Sequence, residues 1–191
     1  MPSQANTKGR PNVLLIVSDD HGREALGCYG NPVIETPHLD ALAADGVRYL
    51  NSFCTTASCA ASRSVVLTGL YNHANGTFGH THGVHHFACF DDVVTLPAML
   101  NEGGYRTGRA GKKHYAPESL FPFQWHCPEG PYMRDDVGMA EACREFIAGR
   151  EPGAGDAPFF LYWCSHNPHR ARVVEDHPLR PNNFGNPGES F

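Results

Sequence analysis

The chain lacks a dominant sign of charge, a long apolar run, an internal repeat and any closely paired cysteines. Fifteen Lys and Arg stand against 20 Asp and Glu, a net charge of −5 spread along 191 residues. No basic stripe is offered to nucleic acid, so an anionic ligand has to be met by local positive charge. Near the N-terminus the apolar run Val13 to Val17 is too short for a signal-peptide core or a membrane span. A cytoplasmic protein with no membrane partner is expected, or a periplasmic or secreted one if residues precede Met1. The seven Cys are odd in number, irregularly spaced and without a Cys-x-x-Cys pair, which argues against a disulfide framework and for a reducing compartment. What remains is 41% apolar residues and enough length for one sizeable core.

The pattern of elements is strand alternating with helix. Val13-Leu14-Leu15-Ile16-Val17 is a continuous aliphatic run and predicts a strand buried on both faces, ending in the polar loop Ser18-Asp19-Asp20-His21-Gly22. Thr36-Pro37 opens a helix with the stripe Leu39, Leu42 and Ala43, and Gly46 stops it. Val47 to Phe53 predicts a second strand, followed by a helix that begins near Cys59 and ends near Gly69. Residues 71 to 92 are rich in His, Gly and Asn without a period and read as a long functional loop. A helix from Thr95 to Gly103, a strand over Tyr105 to Ala110, an irregular stretch over 115–134, a helix capped by Asp135 and closed by Gly149, and a strand over Pro158 to Cys164 complete the series. This is an α/β pattern, with a mostly parallel sheet and helices on both faces. Residues 12–172 form one domain in this reading, and 1–11 and 173–191 are irregular ends.

Four polar clusters follow predicted strands or the turn after one: Asp19-Asp20, Cys59 to Arg63, Lys112 to His114, and His166 to Arg170. In a parallel sheet those ends point to one edge, so the clusters can converge. Cys59 opens a helix, where unpaired backbone N–H groups favour negative charge, and Arg63 one turn on carries a planar fork of donors. The alternative is a buried structural Cys. Two adjacent carboxylates repel unless a cation or protons intervene, and a hard divalent cation is the economical answer; a solvated loop is the alternative. On an extended segment Lys112 and His114 face one side and Lys113 the other, a cation and an imidazole suited to an oxyanion, or else a surface basic turn. His73, His80, His82, His85 and His86 have no Cys partner at zinc-finger spacing, so no structural zinc site is expected. Cys28, Cys54, Cys89, Cys127, Cys143 and Cys164 read as buried hydrophobes.

Cys59-Ala60-Ala61-Ser62-Arg63, continued by Leu67-Thr68-Gly69, resembles the Cys-x-Pro/Ala-x-Arg signature of the sulfatases, in which the Cys is oxidised to formylglycine. Asn72-His73-Ala74-Asn75-Gly76, Val84-His85-His86-Phe87, Gly111-Lys112-Lys113-His114 and His166-Asn167-Pro168-His169-Arg170 resemble most closely the sulfamidases within that family, which remove N-linked sulfate from glucosamine. The likeness runs from about Asn12 to Arg170 and implies the first part of a longer enzyme of alkaline-phosphatase-like fold. By that resemblance Asp19, Asp20 and the modified Cys59 hold Ca²⁺, with Mg²⁺ as the other option. Lys112 contacts the sulfate, His114 holds the hydrated aldehyde, and His166 protonates the leaving group. His85, His86, His169 and Arg170 line the substrate.

The implied chemistry is attack on sulfur by one hydroxyl of the aldehyde hydrate, with Arg63 and the metal lowering its pKa. The second hydroxyl, deprotonated by a base such as His114, then collapses to the aldehyde and expels sulfate. A formylglycine-generating enzyme or an anaerobic sulfatase-maturating enzyme is an implied partner, and Ala61, where many members have Pro, leaves open which. Two Asp and one hydrate supply too few of the roughly six to eight oxygens Ca²⁺ takes. The family draws the rest from a downstream Asp-Asn pair, and Asp176 and Asn182-Asn183 lie in a stretch that does not read as a strand end. Two alternatives stand beside the sulfatase reading: a phosphate or phosphonate monoester hydrolase of the same fold, and a non-catalytic remnant or fragment.

Overall fold

A computed structural model describes residues 9–128, 134–149 and 156–169. By its internal contacts the chain divides into two units, one built on residues up to Val17 with Tyr49–Ser165, the other on Ser18–Arg48 with the residues from His166 onward.

The first unit is organised by a four-stranded sheet of β1 (Val13–Asp19), β2 (Arg106–Gly111), β3 (Trp125–His126) and β4 (Phe159–Pro168), in the order β1-β4-β2-β3, with the last residues of β1 from Ser18 and of β4 from His166 assigned to the second unit. β2 pairs in parallel with both β3 and β4, in a register that sets Gly111 opposite Cys164. Side chains alternate across a strand, and β4 uses both faces. Phe160, Tyr162 and Cys164 pack with Leu67, Tyr115, Phe121 and Phe123 on one side, while Phe159 and Leu161 pack with Met139, Cys143 and Phe146 on the other. Each buried side chain of this size contributes about 1.5–3 kcal/mol. Helices therefore cover both faces, α2 (Cys59–Thr68) and α4 (Leu96–Glu102) on the first and α5 (Asp136–Ile147) on the second.

The predicted helix ends are found where the punctuating residues stand. Gly69 caps α2 at φ 70°, a left-handed value that suits glycine, with its N–H donating to the Val65 carbonyl. Asp135 caps α5 by accepting from the Gly138 N–H at 2.9 Å. A one-turn helix, α3 (Asn72–Asn75), lies inside the otherwise irregular stretch 71–92, and the short β3 inside 115–134 was not expected.

Three expectations fail. Val47 to Phe53 is not a strand: no ladder pairs with it among the described residues, and Val47 and Phe53 are 80% and 90% exposed. An apolar run without a hydrogen-bonding neighbour does not hold an extended ladder. β1 is not buried on both faces, because it lies at the end of the described sheet order, and Leu14 and Ile16 are about half exposed. β4 runs on to Pro168, so His166 is a strand residue rather than the start of a loop.

In the second unit two 3-10 turns (Arg23–Ala25 and Gly27–Tyr29) precede α1 (Pro37–Asp45). The Asp40 carboxylate fastens them, accepting from the Cys28 N–H at 2.6 Å and the Thr36 hydroxyl at 2.9 Å. The expected stripe of α1 is exposed at Leu39 and Leu42, and none of its residues is buried. Among the described residues no helix is long and apolar enough to cross a membrane.

Candidate active site

Cys59 is the first residue of α2, half-buried and free, with Ser58 at the N-cap position. Its neighbours come from the loop that follows the helix, and two buried amides fix where that loop starts. Asn72 donates to the carbonyls of Ala61 and Thr77 and accepts from the hydroxyls of Thr55 and Thr56. Asn75 donates to Ser64 Oγ and the Leu70 carbonyl and accepts from the Thr77 N–H. With both amides multiply bonded in the interior, a shift of the loop against α2 would strand several polar groups. The loop so anchored brings His80 to Cys59, with Nδ1 3.7 Å from Sγ.

Arg63, one turn along α2, is only 4% exposed, and its guanidinium donates to the Tyr162 hydroxyl at 3.1 Å and the Lys112 carbonyl at 3.4 Å. This joins α2 to β4 and to the turn after β2. The turn depends on Gly111, whose φ is 76° and whose hypothetical Cβ would fall 2.0 Å from the Cys164 carbonyl oxygen. The close approach lets the Lys112 N–H donate to that carbonyl at 2.8 Å. Lys113 turns away, as expected, and pairs with Glu118 at 2.9 Å. The extended geometry expected through His114 is absent: its φ is 47°, a left-handed value uncommon for a residue with a Cβ and of the kind that collects at functional sites.

His114 stacks on His80 with ring centroids 5.5 Å apart, and its Nε2 lies 3.1 Å from His82 Nδ1. Its Nδ1 is buried with no hydrogen-bond partner. Burial, then the charge of Lys112 and the neighbouring His82, His80 and Arg63, pushes the His114 pKa down from 6.5 to about 4. At neutral pH the ring is uncharged, with a lone pair open to a metal, and is a weaker base than an ordinary imidazole. Ligand atoms of Cys59, His80 and His114 all lie within 4.8 Å of one another. Sequence reasoning missed His80 and His82, since nothing local in 71–92 indicates that the loop folds back on Cys59 rather than out to solvent.

The structure thus gathers four expected residues, Cys59, Arg63, Lys112 and His114, within the first unit. His85 and His86 are exposed, and His85 stacks on Phe87 at 5.9 Å. In the second unit Asp19 is buried at the end of β1, and Asp20 takes φ 59° with a carboxylate oxygen 3.8 Å from His169 Nε2. His166 is half-buried. Arg170, Asp176 and Asn182-Asn183 lie outside the described residues. All seven cysteines are free, and Cys89, Cys127, Cys143 and Cys164 are buried as expected, whereas Cys54 is exposed and Cys28 only half-buried.

A family model described as Sulfatase matches residues 11–190. Human N-sulphoglucosamine sulphohydrolase is 43% identical over 169 residues, which are 85% of this chain and 33% of the human protein. A protein solved in complex with its substrate D-glucosamine-2-N,6-O-disulfate superposes with a TM-score of 0.71 at 27% identity, covering 84% of this chain and 35% of that one. The phosphonate monoester hydrolase of Agrobacterium radiobacter superposes with a TM-score of 0.63 at 24% identity over 84% of this chain and 41% of its own, a likeness of fold alone. The chain spans about a third of the length of the human relative.

Proposed function

Since this chain belongs to the sulfatase family, we propose that residues 12–172 are the N-terminal part of a catalytic domain that hydrolyses sulfate esters or sulfamates, with N-sulfated glucosamine-type sugars as the substrate class. The observation that carries the reading is the gathering of Cys59, Arg63, the Lys112 turn and His114 around the start of α2. A free, half-buried Cys59 at a helix N-terminus suits conversion to formylglycine by a maturation enzyme, and the aldehyde hydrate supplies an oxygen nucleophile with a second hydroxyl for expelling sulfate.

The remaining roles belong to the chain's own side chains. Arg63, held by Tyr162 and the Lys112 carbonyl, presents fixed positive charge without reorganising. The Lys112 ammonium adds a second cation for the sulfate oxygens. His114, neutral at pH 7, accepts a proton from the nucleophile. Asp19 and Asp20 offer hard carboxylate oxygens that fit Ca²⁺ or Mg²⁺ as a partial ligand set, and a cation held there sets positive charge against an anionic group. His166 is assigned protonation of the departing nitrogen or oxygen. His85, His86, His169 and Arg170 are assigned to the sugar.

The test is sulfate release from N-sulfated against 6-O-sulfated glucosamine, with an aryl sulfate and aryl phosphate pair beside them, for the protein and its Lys112→Ala and His114→Ala variants. Faster release from the N-sulfated sugar, reduced roughly 10²-fold in each variant, is expected. Faster turnover of aryl phosphate would instead establish the phosphate monoester reading. A second reading, that the 191-residue chain taken alone binds an anion without turnover, is favoured by the exposed apolar residues of β1, α1 and Val47 to Phe53. It predicts self-association on size-exclusion chromatography, and an active monomer would remove it.

A further inference from the structure

The cluster around Cys59 contains more ligand chemistry than ester hydrolysis uses. A thiol and two imidazoles, from α2, the loop after it and the turn after β2, place their ligand atoms within 4.8 Å of one another. The donors are one sulfur and two nitrogens, a set that suits a borderline-soft cation rather than Ca²⁺ or Mg²⁺. Zinc–sulfur and zinc–nitrogen bonds of about 2.3 and 2.0–2.1 Å at a tetrahedral angle put sulfur and nitrogen about 3.6 Å apart. Cys59 Sγ and His80 Nδ1 are 3.7 Å apart. The other pairs lie within 4.8 Å, so they need to close by at most about 1.5 Å to reach tetrahedral spacing. His82, whose Nδ1 is 3.1 Å from His114 Nε2, holds the His114 ring as an outer partner commonly holds a ligating imidazole.

We propose that the chain in which Cys59 is still a thiol binds one Zn²⁺ through Cys59 Sγ, His80 and His114, with His82 orienting His114 and solvent completing the tetrahedron. On binding, the Cys59 S–H proton passes to solvent, a sulfur–zinc bond forms, and water leaves the cation, so no oxidant or reductant is consumed. The cation covers the thiol. Conversion of Cys59 to an aldehyde removes the sulfur ligand and abolishes the site, so Zn²⁺ marks the unconverted chain and shields it from alkylation or oxidation. The inference concerns the thiol form alone and does not rest on sulfatase turnover.

The test uses the full chain with Cys59 shown by mass spectrometry to be a thiol. Titration with Co²⁺ as the probe is expected to give a thiolate-to-cobalt charge-transfer band at one equivalent, displaced by Zn²⁺. His80→Gln should weaken Co²⁺ binding by at least 10-fold, and His82→Gln by about 10-fold through His114. In parallel, Zn²⁺ should slow iodoacetamide labelling of Cys59 by at least 10-fold while the exposed Cys54 reacts at an unchanged rate. No thiolate band, a band that survives in Cys59→Ser or is unmoved in His80→Gln, or equal protection of Cys54, would each overturn the proposal. Circular dichroism of each variant confirms its fold, and the Cys54 comparison needs no variant.

Discussion

Gly111→Ala probes whether the turn after β2 positions the site. Alanine there must take φ 76°, which costs roughly 1–2 kcal/mol for a residue with a Cβ. The new Cβ would also meet the Cys164 carbonyl oxygen at 2.0 Å, and a backbone atom cannot rotate away as a side chain could. Relief requires the end of β2 to move more than an ångström from β4, which breaks the Lys112 N–H to Cys164 carbonyl bond, worth about 1 kcal/mol. Together these give about 2–3 kcal/mol. With a urea slope of roughly 2 kcal/mol/M, the unfolding midpoint should fall by about 1–1.5 M. Gly69→Ala is the control: its φ is 70° but nothing lies within 4 Å of its Cβ position, so only the backbone cost applies. Equal shifts in the two variants, or a Gly111→Ala shift below about 0.5 M, would refute the reasoning.

Three further outcomes follow from the packing and the titrations. Tyr162→Phe removes an acceptor from the buried Arg63 guanidinium and should cost roughly 1.5–3 kcal/mol in urea unfolding, with reduced turnover because Arg63 loses its anchor. Phe146→Ala empties a site against Trp125 and Phe159 and beneath the Arg106 guanidinium, and should cost roughly 3–5 kcal/mol by the same measurement. Burial, with the neighbouring Cys127, pushes the Cys143 thiol up from 9.0 to about 12. The fold favours the neutral thiol, so that contribution to stability is intact below pH 9 and is lost as pH climbs towards 12. In the native protein at pH 9, iodoacetamide should label the exposed Cys54 and leave Cys143 unlabelled until denaturant is added.

Elements whose punctuation is local were legible in the sequence: Gly69 after α2, Asp135 before α5, and the aromatic run that became β4. Val47 to Phe53 and the outer face of β1, Leu14 and Ile16, were misread, because an apolar run reports what a segment can bury and not whether a neighbour is there to bury it. For the candidate site, Cys59, Arg63, Lys112 and His114 stand out in the sequence because they lie in motifs that resemble the family's, and the structure gathers them in the first unit. Gly111 appeared only as part of one of those motifs, and the reason for it, a carbonyl in the adjacent strand, is visible only once β2 and β4 are in register. His80 and His82 were passed over for a related cause. A zinc-finger spacing test looks for ligands close in sequence, whereas Cys59, His80 and His114 come from three separate segments, of which the first two are tied together by the buried Asn72 and Asn75 side chains.

The central claim is that Cys59 is the precursor of the nucleophile in a site built from Arg63, Lys112 and His114. The most direct measurement is peptide mass spectrometry of the segment spanning Cys59, on protein taken from its own host and shown to release sulfate. A Cys59 peptide lighter than the thiol form by the difference between CH₂SH and CHO is the result this account predicts. Full sulfate-releasing activity with Cys59 entirely in the thiol form would contradict it.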